Sequence, residues 1–191
     1  MSAKSLFHPP QTIVLVGMMG AGKTSIGRRL STKLGVSFVD SDAEIENAAG
    51  STIADIFELH GEEFFRNRER RIITRLLDKP IKVLATGGGA FIDNQTRALI
   101  LDRSISVWIR ASVDTLTKRL EKNTSTRPLL NKTGNIRQIL EKLIDERHPL
   151  YEKANILVDS SDGKHESIVD SIYDALQVFV NNLNNKKKID K

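Results

Sequence analysis

The stretch Gly17-Met18-Met19-Gly20-Ala21-Gly22-Lys23-Thr24 limits what this chain can fold into more than any other. It fits G-x-x-x-x-G-K-[ST], the phosphate-binding P-loop, and its context agrees. Thr12 to Val16 reads as an apolar strand, and from Lys23 to Leu34 the residues Ile26, Leu30 and Leu34 recur at helical spacing. Gly17, Gly20 and Gly22 allow a tight turn with positive φ, so that backbone N–H groups can close on an anion. The positive end of the following helix dipole adds to the same spot. Gly20, Ala21, Gly22, Lys23, Thr24 and Ser25 are therefore the candidate nucleotide contacts. Lys23 is the cation for the β- and γ-phosphates and the Thr24 hydroxyl a magnesium ligand, which makes ATP and Mg2+ the expected cofactors. The alternative is an ordinary strand-to-helix turn with spare glycines.

Further along, short strands alternate with helical patterns. Strands are expected at Val36–Val39, Lys82–Ala85, Ser104–Ile109 and Ile156–Val158. Helices are expected from Ser41, with Glu44 completing a capping box, to Ala48; from Thr52, again with a box to Asp55; and from Glu62 to Asp78 after a break at Gly61. More follow at Asp93–Asp102, Val113–Glu121, Asn135–His148 and Ser167–Leu183. Five strands separated by helices imply an α/β fold of three layers, αβα, with a five-stranded parallel sheet. Such sheets bind ligands beyond the carboxyl ends of their strands, so Gly17–Thr24, Asp40–Asp42 and Gly87–Gly89 should meet at one edge.

The 191 residues make one domain, and a hydrophobic share of 39% is that of a globular chain. Residues 1–11 are read as an N-terminal extension, residues 122–134, polar and aperiodic, as a mobile lid loop, and residues 184–191 as a disordered basic tail. That tail holds Lys186, Lys187, Lys188 and Lys191 against Asp190, which accounts for most of the formal charge of +5. The folded body is nearly balanced, so no nucleic-acid partner is expected; the tail is a solvated end or a weak tether to an acidic surface. No apolar run reaches the ~20 residues of a membrane span and no signal peptide is evident, so a cytoplasmic protein without a membrane partner, acting as a monomer, is expected. The absence of cysteine excludes disulfides, thiolate metal sites and thiol nucleophiles.

Three polar features remain. Asp40 and Asp42 place two carboxylates at a strand end beside the P-loop, where one can serve magnesium and the other a substrate hydroxyl; in isolation the same residues read equally as helix N-caps. Arg66, Arg127 and Arg147 can each grip a carboxylate or phosphate in a two-point fork, although Arg66 also has Glu62 and Glu69 at surface-pair spacing. Gly87-Gly88-Gly89 either exposes backbone N–H groups to a small ligand or is a flexible turn.

The ordered set of motifs resembles the shikimate kinase family, small P-loop kinases of the nucleoside-monophosphate-kinase-like class. Besides the P-loop it comprises Asp40-Ser-Asp42, Ser51-Thr-Ile-Ala-Asp-Ile-Phe57, Gly61-Glu-Glu-Phe-Phe-Arg-Asn-Arg-Glu69, Thr86-Gly-Gly-Gly-Ala90, Arg127-Pro-Leu-Leu130 and Arg147-His-Pro-Leu-Tyr151. The resemblance implies ATP-dependent phosphorylation of the shikimate 3-hydroxyl, on the route to chorismate and the aromatic amino acids. It makes Asp42 the ligand of the substrate hydroxyls and general base, and sets Asp40 near magnesium. Arg66 and Arg147 become the clamp on the shikimate carboxylate, with Glu69 orienting Arg66 and Gly88 adding a backbone contact. Arg127, on the lid, reaches the transferring phosphate together with Lys23. The chain departs from the family pattern at Glu121-Lys-Asn-Thr-Ser-Thr126, where many relatives carry a further arginine; Arg119 and Lys122 are the available stand-ins. Gluconate kinase, adenylate kinase and a non-catalytic nucleotide switch are the rival readings.

Overall fold

In the computed structural model, which describes residues 7–78, 80–122, 135–161 and 164–189, five parallel strands pair in the order β2-β3-β1-β4-β5. They are β1 (Ile13–Val16), β2 (Ser37–Asp40), β3 (Lys82–Ala85), β4 (Ile105–Arg110) and β5 (Ile156–Asp159). Helices α1 (Lys23–Leu34), α2 (Ser41–Ala49), α3 (Ile53–Leu77), α4 (Asn94–Arg103), α5 (Val113–Glu121), α6 (Ile136–Tyr151) and α7 (His165–Ile189) connect them and cover both faces. The central strand β1 is wholly buried, which is why its four residues are all aliphatic. It lies between β3 and β4, where the winding order reverses, and its carboxyl end opens into the P-loop. The Thr86 N–H and hydroxyl both donate to Leu15 O, fastening the start of the glycine run to the end of β1.

Several local expectations change. The segment Val36–Val39, apolar enough to read as a short buried strand, supplies most of the edge strand β2 and is partly exposed. Helix α2 is capped by Asp40, whose carboxylate accepts from the Asp42 N–H, so Ser41 is its first residue and no Ser41–Glu44 box forms. The Thr52–Asp55 box is made, and α3 bends at Gly61, whose φ of 79° and ψ of 177° lie outside helical space. Helix α6 runs through Pro149 to Tyr151, because a proline near a helix end forfeits one hydrogen bond while Glu152 N–H still donates to His148 O. Helix α7 continues to Ile189, so the backbone of 184–189 is helical where the basic composition suggested a frayed tail; no glycine or proline interrupts it. Within the N-terminal extension, Phe7 packs edge-on against Tyr173 of α7 with ring centres 5.8 Å apart.

Candidate active site

The P-loop has the geometry its sequence requires. Gly22 is the left-handed N-cap of α1, and Gly17 has a φ of 135°. A side chain on Gly17 would also run into Ile109 O, so two constraints coincide there. Lys23 is buried, its Nζ donating to Gly17 O and Met18 O at 2.8 and 2.9 Å. From α5, Arg119 donates to Gly20 O and Ala21 O, and to Ser160 O beyond β5. With those carbonyls engaged by cations, few are left to repel an anion in the loop. Arg119 therefore braces the P-loop from behind. Its sequence signal was only its place ahead of the lid.

Asp40 serves two ends of the site at once. Its Oδ1 caps α2, while its Oδ2 accepts from the Thr24 hydroxyl at 2.8 Å. The N-cap and functional readings of this residue are thus compatible. A hydroxyl and a carboxylate side by side form a hard-oxygen donor pair suited to magnesium, which takes few protein ligands and fills its shell with water and phosphate oxygens.

The glycine run explains the rest of the site. None of Gly87, Gly88 and Gly89 has positive φ, so backbone conformation is not what demands glycine. Space is. A Cβ on Gly87 would lie 2.6 Å from Asp42 Oδ1, one on Gly88 would lie 3.2 Å from Met19 N, and one on Gly89 would strike the Arg66 guanidinium. Successive residues thus touch the acid, the P-loop and the arginine. From α6, Arg147 Nη1 donates to Gly88 O at 3.1 Å, and the Tyr151 hydroxyl donates to the same oxygen. Asp42, Arg66 and Arg147, far apart in sequence, are gathered around one tripeptide, with Lys23 close enough to act on the Asp42 carboxylate.

Burial sets the electrostatics. Desolvation, with Asp40 nearby, pushes Asp42 from 3.8 up to about 6, while Lys23 and Arg66 pull it down. Its Oδ1 is buried and has no hydrogen-bond partner among the described residues, an orphan acceptor of the kind a ligand hydroxyl would satisfy. Glu69 is only 1% exposed, and desolvation pushes it up to about 7 even though Arg66 Nη1 donates to its Oε2 at 2.7 Å. Arg66 also bonds Glu62. It is therefore a fork held from one side, oriented by α3 and pressed against Gly89.

A sequence profile described as shikimate kinase matches residues 19–177. The chain belongs to the shikimate kinase family. A curated shikimate kinase of Rhodopseudomonas palustris is 50% identical over 168 residues, covering 88% of this chain and 82% of that one. Another, of Paramagnetospirillum magneticum, is 51% identical over 170 residues, 89% and 86% of the two chains. The solved shikimate kinase of Acinetobacter baumannii, in complex with shikimate, superposes with a TM-score of 0.83 at 38% identity over 93% of this chain and 96% of that one. A gluconokinase of Sinorhizobium meliloti, at 18% identity and a TM-score of 0.63, shares the fold alone. Members of the shikimate kinase family are ATP-dependent kinases, and the three-layer α/β fold with its parallel sheet agrees with those of the solved members.

Of the residues that sequence singled out, the P-loop set, Asp40, Asp42, Arg66, Gly88 and Arg147 come together at the carboxyl ends of β1, β2 and β3. Arg127, with residues 123–134 of the expected lid, lies outside the described residues. Tyr151 was legible only as the last letter of a motif. Its contact with Gly88 O depends on α6 continuing past Pro149.

Proposed function

We infer that the protein transfers the γ-phosphate of ATP to the 3-hydroxyl of shikimate, giving shikimate 3-phosphate and ADP. The observation that carries this reading is the glycine tripeptide flanked by Asp42, Arg66, Arg147 and the P-loop. A ring acid with three hydroxyls needs a guanidinium clamp at one end and a carboxylate at the other, within reach of a phosphate cradle. Arg66 and Arg147 hold the carboxylate and Gly88 adds the backbone contact. Asp42, ionised above about pH 6, binds the ring hydroxyls and accepts the proton as the acceptor oxygen bonds to phosphorus and the γ-phosphorus bond to the ADP oxygen breaks. Lys23 and, by its place in the motif, Arg127 offset the charge that develops on the transferring group. Gly20, Ala21, Gly22, Thr24 and Ser25 hold the nucleotide phosphates. Thr24 and Asp40 would hold magnesium, which neutralises phosphate charge when bound. In the same reading the protein works as a monomer.

The test is ADP release, coupled to NADH oxidation, with shikimate, gluconate or AMP as acceptor. Turnover that requires shikimate supports the reading. Turnover of gluconate or AMP without shikimate overturns it, and nucleotide binding without any transfer would make the chain a switch.

A further inference from the structure

The glycine tripeptide is anchored from α6 by a residue that the reading above leaves without a role. Tyr151 is 1% exposed, with its ring between Phe91 and Trp108 at centre distances of 6.3 and 5.8 Å. Its hydroxyl donates to Gly88 O, the oxygen that Arg147, one helical turn earlier, also holds. A carbonyl has two lone pairs, and both are engaged here. The peptide is planar and trans, so fixing Gly88 O fixes the N–H of Gly89, which points the opposite way. Among the described residues no hydrogen bond uses that N–H. Burial pushes the Tyr151 hydroxyl up to about 12, so it stays a protonated donor at every working pH.

We propose that Tyr151 is a positioning residue for the acceptor's carboxylate. By holding Gly88 O jointly with Arg147, it sets the orientation of the Gly88–Gly89 peptide and relieves Arg147 of being that oxygen's sole donor. The guanidinium is thereby kept in register beside the Arg66 fork. The proposal rests on the reading that a carboxylated ring is clamped there. Removing the hydroxyl leaves the ring stack in place, so its effect falls on carboxylate recognition and not on nucleotide binding or the chemical step.

The experiment is steady-state kinetics of Tyr151→Phe in the full chain, with shikimate and with an analogue carrying hydroxymethyl in place of carboxylate. The expected result is a shikimate KM raised about fivefold, the worth of one hydrogen bond, with kcat and the ATP KM essentially unchanged. With the hydroxymethyl analogue the parent and variant should match. An unchanged shikimate KM, a parallel rise in the ATP KM, or an equal penalty on the analogue overturns the proposal. If Tyr151→Phe does not fold, fluorotyrosine incorporated into the otherwise unaltered chain replaces it, since there are only two tyrosines and Tyr173→Phe assigns them. The Tyr151 fluorine resonance should then shift with shikimate and hold with the hydroxymethyl analogue; a resonance indifferent to both overturns the proposal. Failure of the parent itself to turn over shikimate would instead strike the functional reading.

Discussion

Replacing Asp42 by asparagine should make the protein more stable while disabling it. In the folded chain the Asp42 carboxyl is pushed from 3.8 up to about 6 by desolvation and by Asp40, only partly offset by Lys23 and Arg66. At ~1.4 kcal/mol per pH unit, holding it ionised in the fold costs about 3 kcal/mol at neutral pH. The neutral amide carries no such cost but leaves an imperfectly paired polar group, so a net gain of about 2 kcal/mol is expected, or roughly 4–8 °C in Tm for a chain of this size. The sign follows from proton binding. The folded state holds the Asp42 proton more tightly, so wild-type stability from this group falls as pH rises from about 4 to about 6 and is level above that. The gain from Asp42→Asn should therefore be largest near pH 8 and only about a third as large near pH 5, where the ionisation cost has halved while the penalty of the amide is unchanged. Urea denaturation of both proteins at the two pH values measures it. Turnover should fall at least about tenfold, or ~1.4 kcal/mol of barrier, with ATP binding retained. A variant no more stable than the parent at pH 8, or an advantage equally large at pH 5, would refute the reasoning.

Arg66→Ala and Arg147→Ala should each raise the shikimate KM by about tenfold or more, as expected for lost charge-assisted bonds, while the ATP KM stays within about twofold. Equal losses for the two ligands would indicate a damaged fold instead. Gly89→Ala needs no forbidden φ but puts a methyl against the Arg66 guanidinium, so it should mimic Arg66→Ala in shikimate KM, with circular dichroism near that of the parent. The pH dependence of kcat/KM for shikimate should show an acid limb near pH 6, where Asp42 gains its proton; a profile flat down to pH 4.5 would remove Asp42 as the base.

Much of this was written in local sequence. The P-loop is a local device, built from neighbouring residues whose φ values and helix start are set within the octamer, so pattern alone specified it. The meeting of Asp42 with the glycine run was legible because parallel α/β sheets gather such loops beyond their strand ends. The arginines were harder: Arg66 does pair with Glu62 and Glu69, as its spacing suggested. What marks it as more than a surface pair is the missing Cβ on Gly89, a through-space fact that spacing cannot carry. The glycine run was legible as backbone laid bare for a ligand or as a flexible turn, but not that Asp42, the P-loop and Arg66 each close on one of its residues, which is a matter of space and not of φ. The contacts of Tyr151 and Arg119 stayed hidden because their partners are backbone carbonyls, 63 and 99 residues away for Gly88 and Gly20, and carbonyls leave no signature in a sequence. The ends of α6 and α7 were missed because tertiary packing and helix continuity outweighed a proline and a run of lysines.

The central claim is that one acceptor site lies on the glycine tripeptide beside the P-loop. A crystal structure of the chain with shikimate and ADP tests it most directly. The account predicts the shikimate carboxylate between the Arg66 and Arg147 guanidinium groups and a ring hydroxyl within about 3.2 Å of Asp42. A carboxylate bound away from both arginines, or a ring whose hydroxyls do not reach Asp42, would contradict it.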